Sequence, residues 1–204
     1  MGKKVKIYVV FLSSGHPIGY EAYKRYHPEI KIMENEEILG KIKDECKNVE
    51  FVGKAEPVKA EEIILDMKKQ KENLDGVLVF GPPLDEITKL GLPIVAVERP
   101  LERCSTFPFH AYKNSKVVTS YLPAHCDKDP EVYSLRIKDI AKKTNLIGVI
   151  SRMKGMKILV VTDLPPLGYF EPLPLQIEKG REEYEKTYVA NLKEIFGMEF
   201  VTIP

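Results

Sequence analysis

Ser13-Ser14-Gly15-His16 puts two hydroxyls, a permissive glycine and an imidazole into four consecutive residues, directly after the apolar run Val5 to Leu12. Such groups donate and accept hydrogen bonds at short range, which is the chemistry that holds a polyol; the other reading is a polar loop with a turn glycine. Gly81, followed by Pro82 and Pro83, also sits just past an apolar run. It makes either a rigid rim poor in amide donors or a plain strand stop. Glu98 and Arg99 set an acid beside a base after Ile94-Val95-Ala96-Val97. That pair suits sugar hydroxyls or a carboxylate, or else an ion pair within the protein. Asp163, opening the loop Leu164-Pro165-Pro166-Leu167-Gly168, either binds a hydroxyl or braces its own loop. Ligands of open parallel sheets collect beyond the carboxyl ends of the strands. Ser13, Ser14, Gly15, His16, Gly81, Glu98 and Arg99 are therefore the candidate substrate-binding residues.

Other chemistries lack their residues. No Gly-x-Gly-x-x-Gly or Gly-x-x-x-x-Gly-Lys-Ser/Thr loop is present for a nucleotide, and no Gly-x-Ser-x-Gly elbow for a serine hydrolase. His110, His125, Cys104 and Cys126 fall in one stretch, but without the spacing of a zinc ribbon or a His-Glu-x-x-His helix. Neither Cys104 nor Cys126 has a recognisable activating context. No catalytic, metal-binding or cofactor-binding residue is assigned.

The elements that would position these groups alternate. Val5 to Leu12 reads as a buried strand, and Ser13 to about Met33, with Gly15, Pro17, Gly19 and Pro28, as a long loop. Asn35 caps a helix running to about Lys47, with Ile38, Leu39, Ile42 and Cys46 on one face. Val49 to Val52 is a short strand ending at Gly53, and Pro57 fits an early position of the next helix, whose apolar face is Ala60, Ile63, Ile64 and Met67. Asp75-Gly76 turns into the strand Val77 to Phe80; a short helix, Leu84 to Leu90, and the strand Ile94 to Val97 follow. All-apolar strands alternating with helices predict a parallel sheet covered on both faces, a Rossmann-like three-layer α/β domain over residues 1–113. Residues 114–156 hold an extended stretch, Lys116 to Tyr121, read as a strand or a crossing segment. A long helix opening at Asp129-Pro130-Glu131 then runs to Met153, with Ile137, Ile140, Ala141, Thr144 and Ile147 buried. Residues 157–204 read as strand, helix (Glu178 to Phe196) and strand: the start of a second, incomplete Rossmann-like βαβ unit, packed on the first sheet or on a partner.

Composition narrows the partners. The 204 residues carry 31 Lys plus Arg against 30 Asp plus Glu, a net charge of +1, so no global field draws nucleic acid or an anionic membrane. No run approaches the ~20 apolar residues that span a bilayer. No small-residue cleavage site follows the first apolar run, and three cysteines are too few for a disulfide scaffold, so a cytoplasmic location is expected. With 30% charged residues and no Trp, the composition fits a thermophile rich in surface ion pairs.

Three stretches resemble the N-terminal part of the L-fucose and L-arabinose isomerase superfamily. Ile7 to Gly15, followed by His16 and Glu21-Ala22, is similar to the first strand and loop of arabinose isomerases. Asp75-Gly76-Val77-Leu78-Val79-Phe80 with Leu92-Pro93-Ile94-Val95 is similar to the third and fourth strands. The helix from Pro130 to Met153, then Lys154-Gly155-Met156-Lys157-Ile158-Leu159-Val160 and Gly168, is similar to the join between the first two domains. The resemblance implies aldose–ketose isomerisation with a divalent metal, usually manganese, whose two acids and one histidine belong to later domains; no cofactor is expected in this chain. What transfers is a substrate-side contact from Ser14 to His16. The expected function is an N-terminal substrate-side or assembly module of a sugar isomerase-like protein, not catalytic as a lone chain. It would work as a homo-oligomer or with a separately encoded C-terminal subunit. The alternatives are a sugar-binding module of the periplasmic-binding or repressor type, and an oligomeric interaction protein.

Overall fold

A computed structural model of the chain describes residues 4–12, 25–26, 28, 33–58, 60–81, 85–99, 116–123, 129–161 and 190–203. Strands β1 (Val5–Leu12), β2 (Val49–Val58), β3 (Gly76–Phe80), β4 (Ile94–Glu98) and β5 (Val117–Tyr121) form one sheet in the order β2-β1-β3-β4-β5. Every pairing in it is parallel. The helices are α1 (Asn35–Glu45), α2 (Ala60–Gln70), the single turn α3 (Asp85–Thr88) and α4 (Pro130–Met153). This is the expected α/β architecture, a parallel sheet followed by a long helix.

The sheet is buried on both faces because strand alternation sends successive apolar side chains to opposite layers. Val5, Ile7, Val9 and Phe11 of β1, with Leu78, Phe80, Val95 and Val97, pack with Ile38, Leu39 and Ile42 of α1 and Tyr133, Ile137, Ile140, Ala141 and Ile147 of α4. The intervening residues Tyr8, Val10, Leu12, Val77, Val79, Ile94 and Ala96 pack with Ile63 and Met67 of α2 and with Ile87 and Leu90. The two apolar layers together make the three-layer sandwich that the continuous apolar strands predict.

Two glycines bring α4 down onto the amino ends of the strands. A Cβ on Gly76 would lie 2.5 Å from Ile147 Cγ2 and 2.9 Å from the Pro93 carbonyl oxygen. A Cβ on Gly148 would lie 2.9 Å from Val5 Cγ2. The entry to β3 is fixed separately: Asp75 Oδ2 accepts from the Lys6 amide and the Asp75 amide donates to the Lys6 carbonyl, both at 2.8 Å.

Three local expectations change. Strand β2 does not stop at Gly53 but continues to Val58. Between the pairs Val9↔Gly53 and Phe11↔Pro57 the register shifts, so β2 bulges and then pairs again. Pro57 is therefore a strand residue rather than an early helix residue, and it sits on an edge strand, where a missing N–H is tolerated. Asn35 does not cap α1: Glu34 is the N-cap residue and the Asn35 side chain bonds elsewhere. The segment after Lys116, read as a strand or a crossing, is strand β5, paired with β4 at the edge of the sheet.

Helix α4 begins as its sequence requires. Asp129 Oδ1 accepts the Val132 amide at 3.0 Å, Pro130 is the first helical residue and Glu131 lies in the first turn. Its buried residues are Tyr133, Ile137, Ile140, Ala141, Thr144, Ile147 and Gly148.

The chain divides into two compact units, Met1–Gly148 and Val149–Pro204. In the second, β6 (Lys157–Val161) and β7 (Glu199–Ile203) pair in parallel, with residues 190–196 helical ahead of β7. Among the described residues, no helix is long and apolar enough to cross a membrane.

Candidate functional site at the carboxyl ends of the strands

From β1 the chain goes first to β2 on one side, and then to β3 on the other. The strand order therefore reverses between the carboxyl ends of β1 and β3, and in doubly wound sheets this is where the loops part and a ligand crevice opens. The floor of this position is aromatic. Phe11 and Phe80, partners in register, stack with ring centroids 4.2 Å apart and planes 3° from parallel. Each is 1% exposed.

Gly81 follows Phe80 directly and is buried. Its backbone has φ +126°, a region open to glycine and strained for other residues, and its amide donates to the Val97 carbonyl at 2.9 Å. A side chain here would strain the backbone. The residues that leave β1, Ser13, Ser14, Gly15 and His16, lie outside the described residues, as do Pro82, Pro83, Asp163, Cys104, Cys126, His110 and His125. Strand β1 does deliver the chain at Leu12, beside the Phe80–Gly81 end of β3.

Glu98 and Arg99 end the neighbouring strand but separate. Arg99 is 5% exposed and turns toward the α1/α4 layer, where Nη1 donates to Asn35 Oδ1 and Nη2 to the Met33 carbonyl at 3.0 Å. Strand alternation sends Glu98, which is half-buried, to the other face. Its carbonyl accepts the Leu122 amide at 2.8 Å, which holds the exit of β5 against β4.

Asn35 is the group that sequence reasoning assigned to the wrong task. Its Nδ2 donates to the Ala55 carbonyl of β2 at 2.8 Å while its Oδ1 accepts from Arg99. One amide thus joins the start of α1, the far part of the edge strand and the residue after β4. A buried guanidinium needs such acceptors, because desolvation would otherwise make its charge costly. A signal existed: Asn35 is three and four residues before Ile38 and Leu39, so it falls on the buried stripe of its own helix. A polar residue in that place needs a partner across the core.

Two further polar clusters lie away from the switch point. Ser120 Oγ donates to Asp139 Oδ2 at 2.7 Å, and Lys143 Nζ donates to the same oxygen at 2.6 Å and to the Thr119 carbonyl at 3.0 Å. Burial pushes the Asp139 carboxyl up, but the Lys143 and Ser120 hydrogen bonds outweigh it and hold the group below the usual carboxylate range. A hydroxyl committed to an ionised acid is an anchor between β5 and α4, not a nucleophile. On the opposite face Tyr8 Oη donates to Asp66 Oδ2 at 2.6 Å and Gln70 Nε2 to Asp66 Oδ1 at 2.9 Å. Burial raises the Tyr8 phenol well above its ordinary range, with the Asp66 carboxylate adding to the effect. Among the described residues, no three His, Cys, Asp or Glu side chains cluster closely enough to hold a metal ion.

Compared with models of known protein families and with curated protein sequences, the chain matches none.

Proposed function

We propose that the chain is the substrate-side module of a sugar isomerase-like protein, binding a small polyol at the β1/β3 switch point and not catalysing alone. The observation that carries the reading is the strand order, which supports a crevice between Leu12 and Gly81. The hydroxyl- and imidazole-bearing sequence Ser13 to His16 follows Leu12 directly in the chain, and Gly81, which has no side chain, follows Phe80 on the neighbouring strand. Hydroxyls, amides and an imidazole match the alternating donors and acceptors of a sugar. The buried Arg99–Asn35 brace keeps the rim rigid without spending ligand contacts on it. Aldose–ketose isomerisation of the kind the resemblance implies needs a divalent metal such as manganese, and the described residues do not form a set that fits one. A second polypeptide, either another copy or a separate C-terminal subunit, supplies that chemistry.

The experiment is calorimetric titration of the chain with a panel of aldoses, alongside an assay for ketose formation with Mn²⁺. The expected result is saturable binding of at least one aldose and no ketose from the chain alone. Ketose formation by the pure chain contradicts the non-catalytic assignment; no binding by any aldose contradicts the substrate-side assignment.

A further inference from the structure

Helix α4 is apolar on two opposite sides. The inner side is the buried stripe already described. The outer side carries Val132, Leu135, Leu146 and Val149, which are 41%, 58%, 49% and 48% exposed. With Asp139 and Lys142 between them, these six residues follow a strict three-four spacing, the a and d positions of a heptad. A surface helix ordinarily carries polar residues there.

We propose that this outer stripe pairs with the same stripe of a second copy, the two α4 helices running antiparallel about a two-fold axis. The stripe is its own complement only in that direction. Turned end to end about its midpoint, Val132 faces Val149, Leu135 faces Leu146 and Asp139 faces Lys142, each pair occurring twice across the axis. Every one of these pairs sets an a position against a d position, as antiparallel helix packing at a shallow crossing angle requires. A parallel pairing would set Asp139 against Asp139 and Lys142 against Lys142, so the central charges select the antiparallel one. Both in-chain donors to Asp139 use Oδ2, which leaves Oδ1 to accept from the second copy's Lys142. Identical surfaces meeting about a two-fold axis form a closed dimer. The inference concerns the helix alone and stands whether or not the switch-point crevice takes a sugar.

Sedimentation equilibrium of the full chain tests it. The wild type is expected to approach twice the chain mass. The variant L135K puts two charges into the dimer, one against each Leu146, and is expected to weaken association about 100-fold. The variant K142E, on an exposed side chain, sets acid against Asp139 twice and is expected to weaken it about tenfold. Unchanged far-ultraviolet circular dichroism marks the variants as folded. For the register, L135C mixed with L146C, each in a C104S/C126S background, is expected to cross-link on oxidation more readily than either alone. A wild-type monomer, a dimer indifferent to both charge variants, or preferential cross-linking of L135C to itself overturns the proposal.

Discussion

The two helix layers on the five-stranded sheet are built differently. The α2/α3 layer is apolar packing, with its polar contact, Tyr8–Asp66–Gln70, at the rim. The α1/α4 layer has a buried charge and long-range side-chain bonds at the carboxyl ends of the strands, and glycine-mediated close contact at their amino ends. Apolar packing alone tolerates rearrangement, whereas satisfied polar groups fix one geometry. The layer with these bonds carries them at the carboxyl ends of the strands, where the proposed site would need its walls held still.

Breaking the brace should separate the layers most clearly. Arg99→Met leaves the Asn35 amide and Met33 carbonyl short of a donor inside the protein, and it should cost about 3 kcal/mol in urea unfolding. Asn35→Ala should cost about 2 kcal/mol, and the double variant less than the two single costs combined, because both remove the same interaction. Fully additive costs would mean that the two residues act independently.

Next comes the amino end. Gly76→Ala should cost about 2 kcal/mol, because its Cβ would meet the Pro93 backbone oxygen as well as Ile147, and backbone does not move aside cheaply. Gly148→Ala should cost less, since its neighbour is the methyl of Val5 and alanine gains helix propensity, about 1 kcal/mol, over glycine. Equal costs would show that α4 slides rather than resists.

The same layer has a titration of its own. Burial pushes the Cys46 thiol up from 9.0 to about 11, with Glu45 adding to the effect. A thiol whose pKa is higher folded than unfolded stabilises fully below pH 9, and that contribution is lost as the pH rises toward 11. Cys46→Ala should therefore flatten the alkaline limb of the stability curve, and wild-type Cys46 should react with thiol reagents only after unfolding.

The rim contact of the opposite layer should matter least. Tyr8→Phe should cost about 0.5–1 kcal/mol, the value of an accessible hydrogen bond. Tyr8 and Gln70 hold the Asp66 carboxyl below its usual range, so their contribution is present at neutral pH and lost as the pH falls through the folded pKa. The variant should show a weaker acid dependence than the wild type in the same unfolding series.

What was legible in the sequence follows the same division. Strands β1, β3 and β4 are near-continuous apolar runs, broken only by Lys6 in β1 and Glu98 at the end of β4, and α4 has a cap, a proline and an acid at its start; such signals are local and survive without tertiary context. The edge strands were harder. β5 is mostly half-buried, with Val118 exposed and Ser120 buried, and β2 contains Gly53 and Pro57, which read as breakers until an edge position and a bulge accommodate them. The Arg99–Asn35 bond joins residues 64 apart and the Asn35–Ala55 bond residues 20 apart. No local spacing announces these bonds, so Asn35 read as a cap and Arg99 as a ligand contact or an ion-pair member.

Amide chemical-shift mapping of the isotopically labelled chain during aldose titration tests the switch-point assignment most directly. The assignment predicts shifts at the Gly81 amide and at residues 13–16, with the amides at the amino ends of the strands, Gly76 among them, unmoved. Shifts confined to the amino ends or to α4, or none with any aldose, would contradict it.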